Sequence, residues 1–376
     1  MKVGLNLAYL VDDSGGSATY ARRLIPHMLA AEPGLELTAW IGATAPASLT
    51  REPWADSVRW VRLPVRGIGS PWHLWHELVG IGVDARRRGI PVVHGLANLG
   101  PLVHPGVATV TTILDVIWVH HPEAASLRFR AMGRFVTPLV GRSSARIIAI
   151  SEAARDDIAA TLGFELEKFD ITPLGVDSPR SSHREVDQGE LAARLGLSSA
   201  PVVLCIAAKR THKNLHGLLR AWASLPQPRP QLVLPGSPND YELQLRALAA
   251  ELGVTDSVRF LGWVSDEDRE ALYGVAECFV LPSFLEGFGL PVLEAMAHGV
   301  PVACSDIAAL REVAAGAAVL FDPGVPDSIA AAVSRILADR ALARELVERG
   351  HERCRLFTWE RTAAATLASY RNATRR

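Results

Sequence analysis

Short runs rich in branched and aromatic residues alternate with longer amphipathic runs along almost the whole chain, and this alternation constrains the fold more than any other feature. In the first half, strands are predicted at 2–8, 37–41, 58–63, 91–94, 107–113, 146–150 and 169–172, and helices at 17–31, 73–88, 126–140 and 151–161. A polar stretch, SPRSSHREVDQGE, begins at Ser178 and reads as a linker. A second series then follows. Its strands are predicted at 201–207, 231–235, 258–261, 278–282, 301–304 and 318–321, and its helices at 214–225, 240–252, 266–276, 290–299, 326–338 and 340–350. Alternation of this kind argues for parallel sheets covered by helices, and two such series make two doubly wound α/β domains. Such sheets bind ligands outside the carboxyl ends of their strands, so two facing domains are expected to share a cleft.

The length, 376 residues, also suits two domains. Hydrophobic residues make up 49% and charged residues 21%, enough for substantial cores. The net charge of −1, with acids and bases mixed along both halves, gives no global basic field of the kind that binds nucleic acid. No apolar run is long enough to span a membrane, and the N-terminal run reads as a first strand and not as a signal peptide. Cys205, Cys278, Cys304 and Cys354 are far apart and show neither metal spacing nor a disulfide framework, so reduced thiols and a cytoplasmic location are expected. The histidines are scattered and form no HExxH motif, so no metal site is expected.

The segment FLEGFGLPVLEAMAHGVP, 284–301, carries the most chemistry. A strand-like run precedes a bend containing Gly287 and Gly289, and a helix then starts at Leu290-Pro291. The N–H groups of a first helical turn and the positive end of its dipole favour an anion such as phosphate. Proline at the first helical position loses no needed N–H. Two carboxylates, Glu286 and Glu294, flank this turn and would repel a phosphate ligand unless they meet hydroxyls. Helical side chains lean toward the N-terminus, so Glu294 can reach a ribose diol beside the phosphates, while Glu286 faces the other side, where a sugar would lie. From spacing alone, an ordinary strand–loop–helix connection with two surface glutamates stands equally.

Three further groups stand out. Gly15-Gly16 lies between the first strand and the first helix, where it permits close backbone approach to a ligand or makes a plain turn. Lys209, Arg210 and Lys213 lie between a strand end and a helix, placed either to neutralise a diphosphate or to form a solvated basic loop. Arg86-Arg87-Arg88, near two tryptophans, and the arginines of 128–146 suit either an anionic membrane surface or a solvated basic face.

Together these pieces resemble the glycosyltransferase family 4 (group 1) enzymes of the GT-B fold. The likeness covers nearly the whole chain and is strongest over 201–325. It rests on LNLAYLVDDSGGSATYAR, on the segment 150–177, on VRFLGWVSDED before the nucleotide base pocket, on the E-x7-E run from Ser283, on AAVLFDPG, and on a terminal stretch FTWERTAAATLASYR that resembles the helix returning to the N-terminal domain. The resemblance implies a GT-B fold, two Rossmann-like doubly wound domains facing across a cleft. Residues 1–178 with 357–376 would be the acceptor side, 179–200 a linker and 201–356 the nucleotide-sugar side. It implies retaining, metal-independent transfer of a hexose or 6-deoxyhexose from a nucleotide diphosphate sugar to an acceptor hydroxyl, with no other cofactor. The setting would be polysaccharide, lipopolysaccharide or glycolipid synthesis, with an acceptor that is a sugar or lipid-linked. The enzyme would be cytoplasmic, with peripheral contact at the inner membrane face through Arg86–Arg88 or the 128–146 face.

By position, the resemblance gives Glu286 the donor sugar hydroxyls, Glu294 the ribose, and the backbone of Phe288, Gly289 and Leu290 the distal phosphate or sugar. Lys213 would hold the diphosphate with Arg210 as its partner, because Ala208 stands where many relatives have arginine. Gly16 would approach the diphosphate or the acceptor. The chain departs from the family at Leu114-Asp115, where relatives read His-Asp. Leucine cannot hydrogen-bond there, which suggests a 6-deoxy sugar or pentose donor. His120 or His121 replacing the imidazole, and Leu114 serving only as packing, are the other readings. A nucleotide-sugar epimerase and a catalytically silent nucleotide-sugar-binding protein stand as alternatives of function.

Overall fold

The computed structural model describes residues 1–11, 15–65, 70–178 and 188–375. Contacts divide the chain into two units, Met1–Gly175 with Phe357–Arg376, and Val176–Leu356. In the first unit, β1 (Lys2–Asn6), β2 (Glu36–Ile41), β3 (Val58–Arg62), β4 (Val92–Gly95), β5 (Ala108–Ile113), β6 (Arg146–Ala149) and β7 (Phe169–Ile171) form one sheet in the order β3-β2-β1-β4-β5-β6-β7. In the second, β8 (Val202–Leu204), β9 (Gln231–Leu234), β10 (Val258–Phe260), β11 (Ala276–Leu281), β12 (Val302–Ser305) and β13 (Ala318–Phe321) take the order β10-β9-β8-β11-β12-β13. Every pairing between these strands is parallel. Each predicted strand run therefore forms a strand, with ends displaced by a few residues.

Parallel strands covered on both faces are apolar along their length. In the second unit Val203, Leu232, Leu234, Val280 and Ala303 meet helix residues such as Leu218, Trp222 and Val333 in one buried core. Both sheets reverse strand order beside their first strand, between β1 and β4 and between β8 and β11. Such reversals open a crevice at the carboxyl ends of the strands.

The first unit is completed by the helix Trp359–Thr374, which packs on the helix Gly16–Ala31 and on β5 and β6. Buried Tyr370 places its hydroxyl 2.7 Å from His94 Nδ1, and Thr112 Oγ1 lies 2.7 Å from His94 Nε2. Burial lowers the His94 pKa to about 3, so the ring is neutral. Gly175 must be glycine, because a Cβ there would lie 2.2 Å from the Trp359 nitrogen.

At the carboxyl end of β1, Asn6 Nδ2 donates to Glu77 Oε1 at 3.1 Å, and His73 Nδ1 is 3.5 Å from Glu77 Oε2. Glu77 is fully buried, and burial raises its pKa to about 7.

Three regions differ from expectation. The stretch 179–200 is not simply a linker: its residues 179–187 lie outside the described set, but Gln188–Leu195 is a helix in the second unit whose Leu191 is fully buried. The predicted helix 73–88 is Pro71–Trp75, a π-helical turn His76–Gly80, and Ile81–Arg87. The predicted helix 126–140 is likewise Leu127–Ala131, a π-helical turn Met132–Val136, and Thr137–Ser143. Pro138 stands in the first turn of the last segment, where its missing N–H cannot continue the α-helical ladder. Short helices Ile117–His120 and Ala308–Ala314 were not predicted.

Candidate functional site

β11 delivers the chain to the crevice beside β8. Nine residues later the helix Leu290–Ala297 begins, with Pro291 in its first turn. Its N-cap, Gly289, has φ of +109° and makes no side-chain cap. A Cβ at Gly289 would lie 2.4 Å from Leu310 Cδ2, so both backbone and packing demand glycine. The Phe288 side chain is buried at 3% exposure, which leaves the backbone as the surface of this turn.

Glu286 lies in the loop between. Its Oε1 receives two bonds, from Lys213 Nζ at 2.7 Å and from Ser283 Oγ at 2.7 Å. The Lys213 side chain is 17% exposed and that of Glu286 10%, so the pair is shielded but reachable. No protein donor among the described residues reaches Glu286 Oε2. Lys213 ends the single turn Thr211–Lys213 that follows β8. That turn is braced on both sides: Phe284 N donates to His212 O at 2.8 Å, and Asn214, left-handed at φ +54°, donates from Nδ2 to Pro323 O at 2.7 Å. Lys213 and Glu286 thus meet where the second sheet reverses its strand order.

Glu294 is held differently. Tyr273, on the helix Asp266–Val275, donates its hydroxyl to Glu294 Oε2 at 3.0 Å. His298 stacks on the Tyr273 ring at 4.6 Å; its Nδ1 is 2.7 Å from Glu294 O and its Nε2 3.0 Å from Glu270 Oε2. Burial raises the Glu294 pKa, and Arg269, the Tyr273 hydrogen bond and His298 pull it back. Each glutamate is therefore anchored through one oxygen, and among the described residues no side-chain donor bonds the other. Hydroxyls of a polyol suit such an arrangement, since an ionised carboxylate only accepts.

The family model for glycosyl transferases group 1 matches residues 187–353. The MMP alpha-(1->4)-mannosyltransferase of Mycolicibacterium hassiacum is 33% identical over 336 residues, which cover 81% of this chain and 76% of that protein. The chain belongs to the group 1 glycosyl transferases. The O-antigen chain mannosyltransferase B of Escherichia coli is 32% identical over 233 residues, and the match spans 61% of each protein. The Anabaena HepE structure in complex with UDP-glucose superposes with a TM-score of 0.75 at 19% identity, covering 98% of this chain and 100% of that one. The fold is GT-B, built of two Rossmann-like α/β units.

In this transferase the remaining predicted residues fall into distinct settings. Arg210 is exposed on the Lys213 turn, and its carbonyl accepts from Lys213 N at 3.0 Å. Lys209 is not a cation of the ligand crevice. It is 3% exposed and pairs with Glu242 Oε2 at 2.7 Å, and its ammonium also donates to Leu261 O at 3.2 Å and to Gly236 O. A buried ammonium must use all its donors, and here they are used on protein.

Gly16 belongs to the first unit, where it opens the helix Gly16–Ala31; a Cβ on it would meet nothing within 4 Å. The preceding Asp12, Asp13 and Ser14 lie outside the described residues. Leu114, also in the first unit, is half-buried, and its N–H donates to Asn98 Oδ1 at 2.9 Å. His120 Nε2 is 2.8 Å from Asp157 and His121 Nδ1 is 3.0 Å from Glu123.

Among the described residues, no group of three or more His, Cys, Asp or Glu could hold a metal ion, and all four cysteines are unpaired thiols. Ser283 and Tyr273 escaped the sequence reading. Ser283 stood in plain view three residues before Glu286, whereas nothing local links Tyr273 to Glu294, 21 residues on.

Proposed function

We propose that this group 1 glycosyl transferase moves a sugar from a nucleotide diphosphate sugar to an acceptor hydroxyl with retention of configuration, in polysaccharide, lipopolysaccharide or glycolipid synthesis. The observation that carries the reading is the Lys213–Glu286 pair at the strand-order reversal, with Glu286 Oε2 left open. Lys213 has three N–H bonds, so it can keep Glu286 and still reach a phosphate oxygen. Departure of the nucleoside diphosphate leaves negative charge on that phosphate and an oxocarbenium-like sugar. Lys213, Arg210 and the turn Phe288-Gly289-Leu290 meet the first. Glu286 orients the sugar through its hydroxyls, and Glu294 accepts from the ribose. An oxygen of the departing phosphate takes the acceptor proton. With leaving-group charge met by side-chain cations, chelation of divalent ions leaves the rate unchanged. Gly16 is assigned to the approach of the diphosphate or the acceptor. Likeness to mannosyltransferases makes GDP-mannose the first donor to try.

The first unit also presents Leu127, Phe135 and Leu139, at 75%, 65% and 50% exposure, beside exposed Arg128 and Arg134. Arg146 does not join this face, because it is bound to Asp170 at 2.6 Å and to the carbonyls of Glu167 and Phe169. Exposed Arg86–Arg88 is a second basic cluster. Contact of either with an anionic membrane would suit a lipid-linked acceptor. No helix of the described residues is long and apolar enough to cross a membrane.

The decisive assay measures nucleoside diphosphate release from GDP-mannose, UDP-glucose, GDP-fucose, dTDP-rhamnose and UDP-xylose with and without EDTA. Release from at least one donor that persists in EDTA is expected. A panel in which nothing is cleaved or bound overturns the reading, and a clear preference for GDP-mannose or UDP-glucose removes the 6-deoxy or pentose donor suggested by Leu114.

A further inference from the structure

Glu294 faces a conflict. Burial favours its neutral acid, yet only the ionised carboxylate offers both oxygens as acceptors for a ribose diol. Something must hold it charged and hold one oxygen still while the other stays open. The groups around it are few. From the helix Asp266–Val275 come Tyr273, whose hydroxyl donates to Oε2 at 3.0 Å, and Arg269, whose charge acts at longer range. From the end of its own helix comes His298, which stacks on Tyr273 and is fixed by Glu270. Asp177 adds an opposing negative charge. Tyr273 alone makes a side-chain hydrogen bond to the Glu294 carboxylate among the described residues. Its ring is buried at 2% exposure between Phe279, at 6.1 Å, and His298, so its hydroxyl has one direction to point.

We propose that Tyr273 is the positioning residue for donor binding: its buried hydroxyl, set by stacking on His298, holds Glu294 through Oε2 so that Oε1 meets the ribose. This rests on the ribose role given to Glu294 above. Tyr273 touches no ligand and acts only through Glu294. Burial and the nearby carboxylate keep its phenol well above the usual range, so it remains a donor at any working pH. The linkage has a definite sign. Donor affinity falls as pH drops through the Glu294 pKa, and removing the tyrosine hydroxyl moves that fall to higher pH.

The test is a double-mutant cycle read by calorimetric titration with whichever of GDP, UDP, dTDP or ADP binds the native protein most tightly. Y273F, which keeps the ring, should weaken binding about tenfold, the scale of a hydrogen bond to a charged group. It should raise the pH of half-maximal affinity and raise KM for the donor with little change in kcat. In an E294Q background, where a neutral amide replaces the charged acceptor, the same substitution should have a clearly smaller effect. Equal losses from Y273F in both backgrounds, or no loss in the native one, overturn the proposal while leaving Glu294 in its role. No loss from E294Q overturns the ribose reading itself. Thermal unfolding of each variant separates weakened binding from loss of fold.

Discussion

Each unit carries a shielded carboxylate where its sheet reverses strand order, and the two are built in opposite ways. In the first unit Glu77 is fully buried with neutral or weakly placed partners, Asn6 at 3.1 Å and His73 at 3.5 Å, and its pKa rises to about 7. In the second, Glu286 remains reachable and takes a lysine and a serine at 2.7 Å on a single oxygen. A carboxylate without a cation is neutralised by its surroundings and serves as a bolt in the fold. Glu286 instead has its charge matched by a lysine, and among the described residues no protein donor reaches its second oxygen. Burial near a strand end thus has different consequences in the two units; the partner decides.

Substitution should separate the two strongly. E286A is expected to lower kcat by about 10²–10³-fold while nucleotide binding survives. Unchanged turnover would break the contrast. Next in size, K213A should cost turnover about 10²-fold with little change in stability. K209A, four residues upstream, should leave the nucleotide affinity intact but destabilise by about 3 kcal/mol in urea, because Glu242 loses its buried partner. Exchange of those two outcomes would mean that the lysines have been assigned the wrong way round.

The smallest effect concerns Glu77, and its sign follows from the raised pKa. The folded state holds the proton more tightly than the unfolded chain, so this stabilisation is complete below the ordinary carboxyl range and is lost as pH rises to about 7. E77Q should match the native protein in acid and exceed it near neutrality, by at most about 3 kcal/mol. A difference independent of pH would show that Glu77 does not titrate there.

What could be read from the chain followed from how local the cause was. Strands such as Val202–Leu204, buried residue by residue, announce themselves as unbroken apolar runs. The Gly287–Gly289 bend and the helix start at Leu290-Pro291 were equally visible, because the turn and the helix each depend on adjacent residues. From the loop's residues alone Lys209 and Lys213 could not be told apart, and only the family resemblance singled out Lys213, since the partner that engages Lys209, Glu242, lies far along the chain on another helix. The helix Gln188–Leu195 was hidden because its anchor is chiefly Leu191 in an otherwise polar stretch. The π-helical turns depend on how successive helical segments join, which periodicity does not encode.

The Tyr370–His94 contact has a consequence for the order of events during synthesis. The first sheet is complete by residue 171, yet the helix that covers His94 and packs on Gly16–Ala31 is made only after residues 176–356. The second unit is an uninterrupted stretch and can fold as soon as it leaves the ribosome. The first must wait with its apolar flank uncovered, so a ribosome stalled within residues 176–356 would hold a first unit that is open to chaperones and proteases.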